Sequence, residues 1–403
     1  MRRSSSILTR LAGAVAGAAL AAAALVAVAA PAQAASLTQV TGFGSNPGNL
    51  AMYAYRPDGL PANAPAVVLL HGCTQNAAGY FANSGWQKYA DLWKFALIVP
   101  QQSSANQSLS CFNWYTEGDI NRGQGEALSI KQMVDYAKTN YGLDGNRVHI
   151  SGLSAGGAMT SVMLATYPDV FAAGSVIAGL PYRCSPPAST STCQYSGVDK
   201  TPPAWGDLVR NAYSGYTGRR PRVSIWHGTS DTTVVPMNAT ESRDQWTNVL
   251  GVSQTPTSTS SLPAGTSLEV YGNDAVRLYR VSGMGHGTPV DPGSATDQCG
   301  TATSYFLDTI CSSYRDALFF GLSGGATPSP TPTATASPTP TPTPTASPVC
   351  VTASNYAHVT AGRAYQSGGY AYALGSNQRM GLYNTFYTTT LKQTAPNYWV
   401  IGC

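Results

Sequence analysis

The residues Gly152-Leu153-Ser154-Ala155-Gly156 constrain the fold of this chain more than any other stretch. The segment before them, Arg147–Ser151, is typical of a short buried strand, and the segment after, Ala155–Tyr167, is compatible with a helix. A strand, a Gly-x-Ser-x-Gly turn and a helix form a nucleophile elbow, which lifts one serine above the edge of a sheet. Glycine is needed on both sides because a side chain there would crowd the turn. The stretch therefore predicts that Ser154 is a nucleophile.

A second Gly-x-Ser-x-Gly match, Gly321–Gly325, lacks this context. With 41 glycines in 403 residues, a match by chance is not surprising. This one runs directly into a proline-rich tract, which cannot continue as a helix. We interpret it as the start of a linker.

The remaining short apolar runs predict an α/β domain built on a mostly parallel sheet, since apolar strands that alternate with helices are typical of that class. The predicted strands are Ala66–Leu70, Phe95–Val99, Ala173–Ala178, Arg222–Trp226 and Val276–Val281, and the predicted amphipathic helix is Gly125–Tyr141. Residues 182–220 are instead rich in Pro, Ser, Thr and Gly and contain two cysteines. We expect them to form a disulfide-stapled surface excursion near the site.

The N-terminal segment has the pattern of a secretory signal. Arg2 and Arg3 precede an Ala-rich apolar run, and Ala32-Gln33-Ala34 provides a small-x-small cleavage site. We therefore expect a signal peptide over residues 1–34 and an extracellular protein. A retained membrane anchor is the alternative, because the apolar run is long enough to span a bilayer. The Ala-rich makeup and the cleavage site favour removal.

The charge balance argues against charged partners. The 23 Lys and Arg residues include Arg2, Arg3 and Arg10 in the predicted signal, so 20 basic residues remain against 19 acidic ones. This balance provides no electrostatic footprint for nucleic acid or for an anionic lipid surface. We expect a neutral substrate, with neither nucleic acid nor a membrane as a partner.

All eight cysteines follow the predicted signal, and an even count in a secreted chain indicates disulfides. Their spacing does not fix the connectivity. We expect neighbours in sequence to pair, including Cys350 with Cys403, which enclose the last segment. No Cys-x-x-Cys or His cluster with metal spacing occurs, so no zinc site is expected.

Composition divides the rest of the chain into three parts. Residues 36–323 have the length of one large catalytic domain. Residues 324–348 are almost purely Pro, Thr, Ser and Ala, and such a run cannot bury a core, so we expect an extended spacer. Residues 349–403 are rich in Tyr and Gly and have a cysteine near each end, as expected of a small domain that needs a disulfide to hold together.

A serine nucleophile needs a base and an orienting carboxylate, and in α/β-hydrolases these follow the serine in the order acid, then histidine. Only His227 and His286 lie between Ser154 and the spacer. His286, in a glycine-rich loop after a predicted strand, is the predicted base, and His227, at a strand end, is predicted to be structural. Asp231, just past a strand, is the predicted acid. Asp274 is the alternative, but its neighbours are typical of a turn between strands.

An oxyanion hole needs backbone N–H groups beside the nucleophile. Ala155 follows Ser154 and is expected to supply one. Cys73, in the loop after the strand Ala66–Leu70, is expected to supply the other, with its sulfur bonded to Cys111. His71 in the same loop is a candidate for the substrate site, although we expect it to brace the loop rather than to transfer a proton.

Several motifs together resemble those of the extracellular polyhydroxybutyrate depolymerases whose lipase box lies inside the catalytic domain. They are His71–Cys73, Cys111–Tyr115, Gly125–Ala127, Gly152–Gly157, the Asp231 loop and Gly285–Gly287. The resemblance spans residues 36–320, and this family is related to the feruloyl and acetylxylan esterases. The C-terminal stretch resembles the family's short polymer-binding domain through Asn355–His358, Gly362–Ala364, Gly375–Asn377, Met380-Gly381 and Thr388–Leu391. The Thr/Pro-rich spacer differs from the fibronectin-like module of some relatives.

The resemblance implies an α/β-hydrolase fold for the catalytic domain, followed by a small disulfide-closed substrate-binding domain. The site residues that it implies are the nucleophile Ser154, the base His286, the acid Asp231 and the oxyanion-hole residues Cys73 and Ala155. Trp114 lies in the family's Asn-Trp motif and is either an apolar wall for the polymer or an ordinary core residue. The expected reaction is hydrolysis of poly(3-hydroxybutyrate) through an acyl-enzyme to hydroxybutyrate monomers or oligomers. We expect a monomer without a cofactor, whose partner is the insoluble polyester surface.

Three other functions remain open at this point. A feruloyl or acetylxylan esterase with a polysaccharide-binding tail would share the fold and the triad, although the C-terminal motifs favour the polyester. An acyltransferase would need an acceptor site that the sequence does not reveal. A secreted binding protein with an inert hydrolase domain is disfavoured because all three triad candidates are present in order.

Overall fold

The structure is a computed structural model, and it describes residues 35–324, 350–376, 378–395 and 398–403. The chain divides into two compact units, Met1–Thr327 and Pro328–Cys403. The predicted signal peptide lies outside the described residues, as does the predicted spacer from residue 325 onward. The predicted domain boundaries therefore stay predictions.

The strands of the first unit form one large mixed sheet. They are β1 (Thr38–Val40), β2 (Ala51–Tyr55), β3 (Ala66–Leu70), β4 (Ala96–Gln101), β5 (Val148–Leu153), β6 (Ala173–Ile177), β7 (Arg222–Gly228), β8 (Ser258–Leu262), β9 (Thr266–Tyr271) and β10 (Val276–Val281). The ten strands are ordered β1-β2-β4-β3-β5-β6-β7-β10-β9-β8. From β4 to β10 in that order neighbouring strands are parallel, and the strands at both edges are antiparallel. The predicted mostly parallel sheet is confirmed.

Helices cover both faces of this sheet. They are α1 (Ala77–Asn83), α2 (Trp86–Trp93), α3 (Gly125–Tyr141), α4 (Ala155–Thr166), α5 (Pro202–Ala212), α6 (Met237–Val249) and α7 (Ser312–Phe320). The short strands β11 (Thr288–Val290) and β12 (Phe306–Asp308) form a separate parallel pair, and Thr192–Ser196 is a π-helical turn. The predicted strands and the helices α3 and α4 agree with these bounds within two residues.

The core consists of two apolar layers, one on each face of the sheet. In β3, Val68 and Leu70 point into the layer beneath α3 and α4. The alternate residues Val67 and Leu69 point into the layer that contains Trp86 of α2. Since both faces are covered, every residue of β3 is buried, which explains why this strand is a continuous apolar run in the sequence. The same arrangement brings the carboxyl ends of the parallel strands to one edge, where the candidate site lies.

The second unit is a small β domain with one helix. Its elements are β13 (Cys350–Ser354), α8 (Asn355–Thr360), β14 (Ala364–Ser367), β15 (Tyr370–Ala373), β16 (Arg379–Leu382), β17 (Thr388–Ala395) and β18 (Tyr398–Ile401). The strands form two three-stranded sheets, β13-β17-β18 and β14-β15-β16. The buried core residues are Ala364, Ala371, Ala373, Met380, Leu391 and Trp399. A core this small needs the disulfide that closes the unit.

The four disulfides pair neighbours in sequence: Cys73–Cys111, Cys184–Cys193, Cys299–Cys311 and Cys350–Cys403. This confirms the expected connectivity. Within the described ranges, every helix is too short or too polar to cross a bilayer.

Candidate active site

The turn between β5 and α4 holds Ser154 in the geometry of a nucleophile elbow. Strand β5 ends at Leu153 and helix α4 begins at Ala155, so Ser154 alone makes the turn, with φ 57° and ψ −118°. Such a positive φ is costly for a residue with a side chain and marks a functional position. A Cβ at Gly152 would overlap the carbonyl of Gly156, and one at Gly156 would overlap the carbonyl of Leu70. The turn can therefore form only with glycine at both positions.

His286 and Asp231 form a hydrogen-bonded pair beside this turn. His286 follows β10, Asp231 follows β7, and His286 Nδ1 lies 2.8 Å from Asp231 Oδ2. The other oxygen, Oδ1, accepts the N–H groups of Thr233 and Val234 at 2.9 Å each. Burial acts to raise the pKa of Asp231, but the hydrogen bond from His286 and that from the Val234 N–H, together with the two neighbouring imidazoles, hold the pKa below its ordinary value. The carboxylate is therefore fixed and ionised, with one oxygen committed to the imidazole.

The alternative acid, Asp274, has different partners. It precedes β10, at the opposite end of the strand from His286. Its carboxylate bonds to Arg277 Nε at 2.6 Å and to an Arg222 guanidinium nitrogen at 3.1 Å. The structure thus pairs Asp231, and not Asp274, with the predicted base.

His227 lies behind Asp231, within the core. Its Nε2 is 2.7 Å from the carbonyl oxygen of Val234 and 3.5 Å from Asp231 Oδ2. The side chain is buried, and burial lowers its pKa. This placement agrees with the predicted structural role.

The loop after β3 provides the second side of the site. The Gly72 N–H donates to Gln75 Oε1 at 2.8 Å, and the Thr74 N–H donates to the Leu109 carbonyl at 2.6 Å. Between them, the Cys73 N–H has no acceptor in the part of the chain that the structure describes. The Ala155 N–H also lacks an intrahelical acceptor because it opens α4. Both donors are therefore available to an oxyanion, and their role in an oxyanion hole stays a prediction.

His71 is placed beneath this loop rather than in the site. Its Nδ1 donates to the Gly72 carbonyl at 2.7 Å, and its Nε2 accepts the Gln102 N–H at 3.1 Å. The side chain is fully buried, and burial lowers its pKa to about 4. With both nitrogens engaged, the neutral ring braces the loop, as expected, and cannot contact substrate. Its assignment as a substrate-site residue is corrected accordingly.

A buried carboxyl, that of Glu126, connects the segment of Trp114 with the loop after β3. The sequence alone assigns it no role. Glu126, at the start of α3, accepts hydrogen bonds from the backbone and side-chain nitrogens of Asn113 at 2.8 Å each, and a further one from Gln102 Nε2. Burial raises the pKa of Glu126 to about 8 against the effect of these donors. Asn113 adjoins Trp114, and the Gln102 N–H binds His71, so Glu126 links the tryptophan to the oxyanion loop. In the sequence, the motif Gly125-Glu126-Ala127 is the signal that points to this residue.

A cavity of about 380 Å³ opens above Ser154 and His286. Its other lining residues are Gly72, Cys73, Thr74, Gln75, Gln107, Leu109, Cys111, Trp114, Tyr115, Leu153, Thr190, Gln194, Tyr195, Thr233 and Tyr305. None of these is Asp, Glu, Lys or Arg, so the cavity suits a neutral, partly apolar substrate. Trp114 lies in its wall while remaining largely buried, and Thr190, Gln194 and Tyr195 come from the stapled excursion expected near the site. Among the described residues, no group of three or more His, Cys, Asp or Glu could hold a metal ion.

Comparison with known proteins gives one family. Residues 48–266 match the family model described as Esterase PHB depolymerase. The poly(3-hydroxyalkanoate) depolymerase C of Paucimonas lemoignei is 56% identical over 295 residues, which are 72% of this chain and 71% of that protein. The feruloyl esterase B of Talaromyces stipitatus is 38% identical over 276 residues, which are 66% of this chain and 76% of that protein.

Among solved structures, the acetyl xylan esterase from Aspergillus awamori matches with a TM-score of 0.62 at 32% identity. The match covers 71% of this chain and 99% of that chain. Together with the sheet order and the elbow, it confirms the predicted α/β-hydrolase fold.

Proposed function

We propose a function for this chain from one premise: it belongs to the esterase PHB depolymerase family. It is a serine-type carboxylic ester hydrolase, and its substrate is poly(3-hydroxybutyrate), which it cuts to hydroxybutyrate monomers and oligomers. The observation that carries this proposal is the 56% identity to a poly(3-hydroxyalkanoate) depolymerase over most of the chain. The uncharged cavity above Ser154 supports it, because a polyester offers ester groups and methyl groups but no charge.

The first step is acyl transfer to Ser154. Its Oγ attacks an ester carbonyl of the polymer while His286 Nε2 takes the hydroxyl proton. Asp231 holds the opposite nitrogen at 2.8 Å and stabilises the imidazolium that forms. The N–H groups of Cys73 and Ala155 receive the negative charge on the former carbonyl oxygen. His286 then gives the proton to the alcohol end of the departing polymer segment, which leaves an acyl-enzyme.

The second step is hydrolysis of this intermediate. Water attacks the acyl carbon as His286 takes a proton from it, and the proton then returns to Ser154 Oγ as the acid product leaves. Trp114 forms an apolar part of the cavity wall, against which the methyl-bearing backbone of the polymer packs. Water is the only co-substrate of the reaction.

The C-terminal unit acts as the polymer-binding domain. Phe386, Tyr387 and Tyr356 are 89%, 52% and 46% exposed. Among the described residues of this unit, the only aromatic side chain in the buried core is that of Trp399. Rings with a polar edge suit an apolar, ester-lined surface. The unit thereby keeps the enzyme on a substrate that does not diffuse to it. The four disulfides fit an oxidising compartment, and the protein works outside the cell as a monomer.

A second candidate function is removal of feruloyl or acetyl groups from xylan. The observation that favours it is the structural match to an acetyl xylan esterase at 32% identity. Supplying the native chain with poly(3-hydroxybutyrate) granules and with feruloylated, acetylated arabinoxylan separates the two. We expect release of 3-hydroxybutyrate that Ser154→Ala abolishes. Release of ferulate or acetate without 3-hydroxybutyrate would reject the polyester proposal.

A further inference from the structure

We propose that Leu109, Tyr195 and Tyr305 form a rigid apolar rim by which the catalytic unit itself docks on solid polyester. This surface is additional to the C-terminal unit. The inference rests on the proposed function, because it concerns how the polymer reaches Ser154.

The exposed apolar residues of the catalytic unit are concentrated at the mouth of the cavity. Leu109, Tyr195 and Tyr305 are 56%, 59% and 43% exposed, and all three line the cavity that contains Ser154. The other large apolar side chains exposed in residues 35–324 are Leu92 on α2 and Leu318 on α7. A single exposed leucine needs no explanation, but a cluster around a catalytic opening marks an interaction surface.

Two links join the segment that carries Leu109 to the loop after β3. The Leu109 carbonyl accepts the Thr74 N–H at 2.6 Å. Cys111, two residues further on, is bonded to Cys73 in the oxyanion loop. Leu109 therefore keeps a fixed position relative to the predicted oxyanion hole.

Tyr195 belongs to the π-helical turn Thr192–Ser196. The Cys184–Cys193 disulfide closes this segment. The neighbouring Gln194 carbonyl accepts the Val235 N–H at 2.8 Å, from the same loop that carries Asp231. Short π-helical turns are frequent at functional sites, and this one presents a tyrosine ring to solvent.

Tyr305 lies in the segment between Cys299 and Cys311, which the third disulfide closes. Its φ is 66°, a conformation that is unfavourable for an aromatic residue and is retained where the surrounding structure requires it. Its carbonyl accepts the Thr288 N–H at 2.8 Å. Its ring is 6.3 Å from the His286 ring, at an interplanar angle of 80°. Each disulfide of the catalytic unit thus secures one member of the rim.

Rigidity is what a docking surface for a solid requires. A side chain that is already held loses little freedom when it binds, so more of the contact energy remains as affinity. The rim has no charged residue beside it in the cavity lining, as a neutral polyester demands. Since the rim is continuous with the cavity, a polymer surface that rests on it lies directly over Ser154. A polysaccharide would find two tyrosines to stack on, but Leu109 gives it no polar partner.

The test uses the full chain with Ser154→Ala, so that binding is read without hydrolysis. The rim variant adds L109S and Y195S, and the matched control adds L92S and L318S, which remove two exposed apolar side chains elsewhere, 53% and 40% exposed. Tyr305 stays unchanged because its ring lies against His286. The measurement is the dissociation rate from a poly(3-hydroxybutyrate) film, recorded by a quartz crystal microbalance, with an arabinoxylan film in parallel.

We expect the rim variant to dissociate from the polyester film about tenfold faster than the control. Two of the docking side chains are lost, so the contact that the rim adds to that of the C-terminal unit is weakened. Equal dissociation of the two variants would overturn the proposal, as would a change seen only on arabinoxylan. In the active enzyme, L109S/Y195S should lower hydrolysis of the film at least severalfold more than hydrolysis of p-nitrophenyl butyrate. An equal loss on both substrates would make these residues part of the acyl pocket and would also overturn it. If the native chain released no 3-hydroxybutyrate, the proposed function would fail while the film measurement would still decide the rim.

Discussion

At the scale of single residues, the pair of His286 and Asp231 is the feature that most directly implies catalysis. Asp231→Asn keeps the size of the side chain but replaces an acceptor by an amide, so the imidazole loses the partner that fixes its tautomer. We expect the turnover of a soluble ester such as p-nitrophenyl butyrate to fall by roughly three to four orders of magnitude while the fold is retained. Asp274→Asn is the matched control, because it breaks only the partly exposed pairs with Arg222 and Arg277. A damaging Asp274 variant beside a mild Asp231 variant would show that the acid is misassigned.

Glu126 leads to a second prediction at this scale. Glu126→Gln puts an amide NH2 where the side chain now accepts N–H groups from Asn113 and Gln102, so one of these contacts becomes a clash of donors. Because Gln102 holds His71 under the oxyanion loop, we expect kcat to fall about tenfold or more, as when oxyanion stabilisation is weakened, with a smaller change in KM. Glu117→Gln is the control, since Glu117 makes an exposed pair with Arg183. A loss of thermal stability with unchanged kcat would contradict the positioning role.

These residues also show what the sequence can predict. The sequence predicts Ser154, Asp231 and His286 for the triad because each lies shortly after a strand and because their order along the chain is fixed by the fold. The sequence does not predict the role of Glu126, because its partners Gln102 and Asn113 come from separate loops. No periodicity in the sequence shows that these loops approach each other. His71 was placed correctly under the loop, but its burial, which removes it from the substrate site, follows from packing alone.

At the scale of elements, a buried carboxyl joins α7 to two central strands. Asp316 accepts hydrogen bonds from Ser175 Oγ at 2.6 Å on β6, and from Ser224 Oγ at 2.7 Å and Trp226 Nε1 at 2.9 Å on β7. Burial raises the pKa of Asp316 to about 6, although these donors act to lower it. A pKa raised by folding means that the folded state binds the proton more tightly than the unfolded one. Its contribution to stability is therefore complete below the unfolded pKa and is lost as the pH rises through 6.

The corresponding prediction compares the native chain with Asp316→Asn. Between pH 4 and pH 8 the free energy of unfolding of the native chain should lose up to about 3 kcal/mol through this group. The amide cannot ionise and its oxygen can still accept from Ser224 and Trp226, so the variant should lack this loss. Urea unfolding at a series of pH values measures both curves. Parallel curves for the two proteins would contradict the assignment.

The elements themselves were predicted where their burial leaves a clear pattern. The central strands are covered on both faces and therefore form continuous apolar runs. The edge strand β8, with the sequence Ser258-Thr-Ser-Ser-Leu262, is mostly exposed and has no such pattern. Helix α5 lies inside the excursion that was expected from composition. The Pro and Gly residues of this segment obscure the helical pattern in the sequence, although Trp205 and Val209 of the helix are buried.

At the scale of the whole molecule, we propose that one unit hydrolyses the ester bonds and that the C-terminal unit binds the polymer. A chain that ends near Ser323 should keep its activity on soluble short-chain esters, because every proposed catalytic residue precedes that point. It should bind and erode polyester granules poorly, since it lacks the C-terminal unit that raises the effective concentration of Ser154 over the polymer. Granule adsorption and clearing, compared with the full chain at equal soluble activity, measure the effect. Equal clearing by both chains would show that the C-terminal unit is not a polymer-binding domain.

The proposed function depends on one link, that between Ser154 and the breakdown of the polymer. Titration of the native chain with an organophosphonate, followed by peptide mapping and by assay of 3-hydroxybutyrate release from granules, tests this link directly. We predict that the label is found on Ser154 and that release falls in direct proportion to the fraction labelled. Continued release after Ser154 is fully labelled, or loss of release with the label on another residue, would contradict the account.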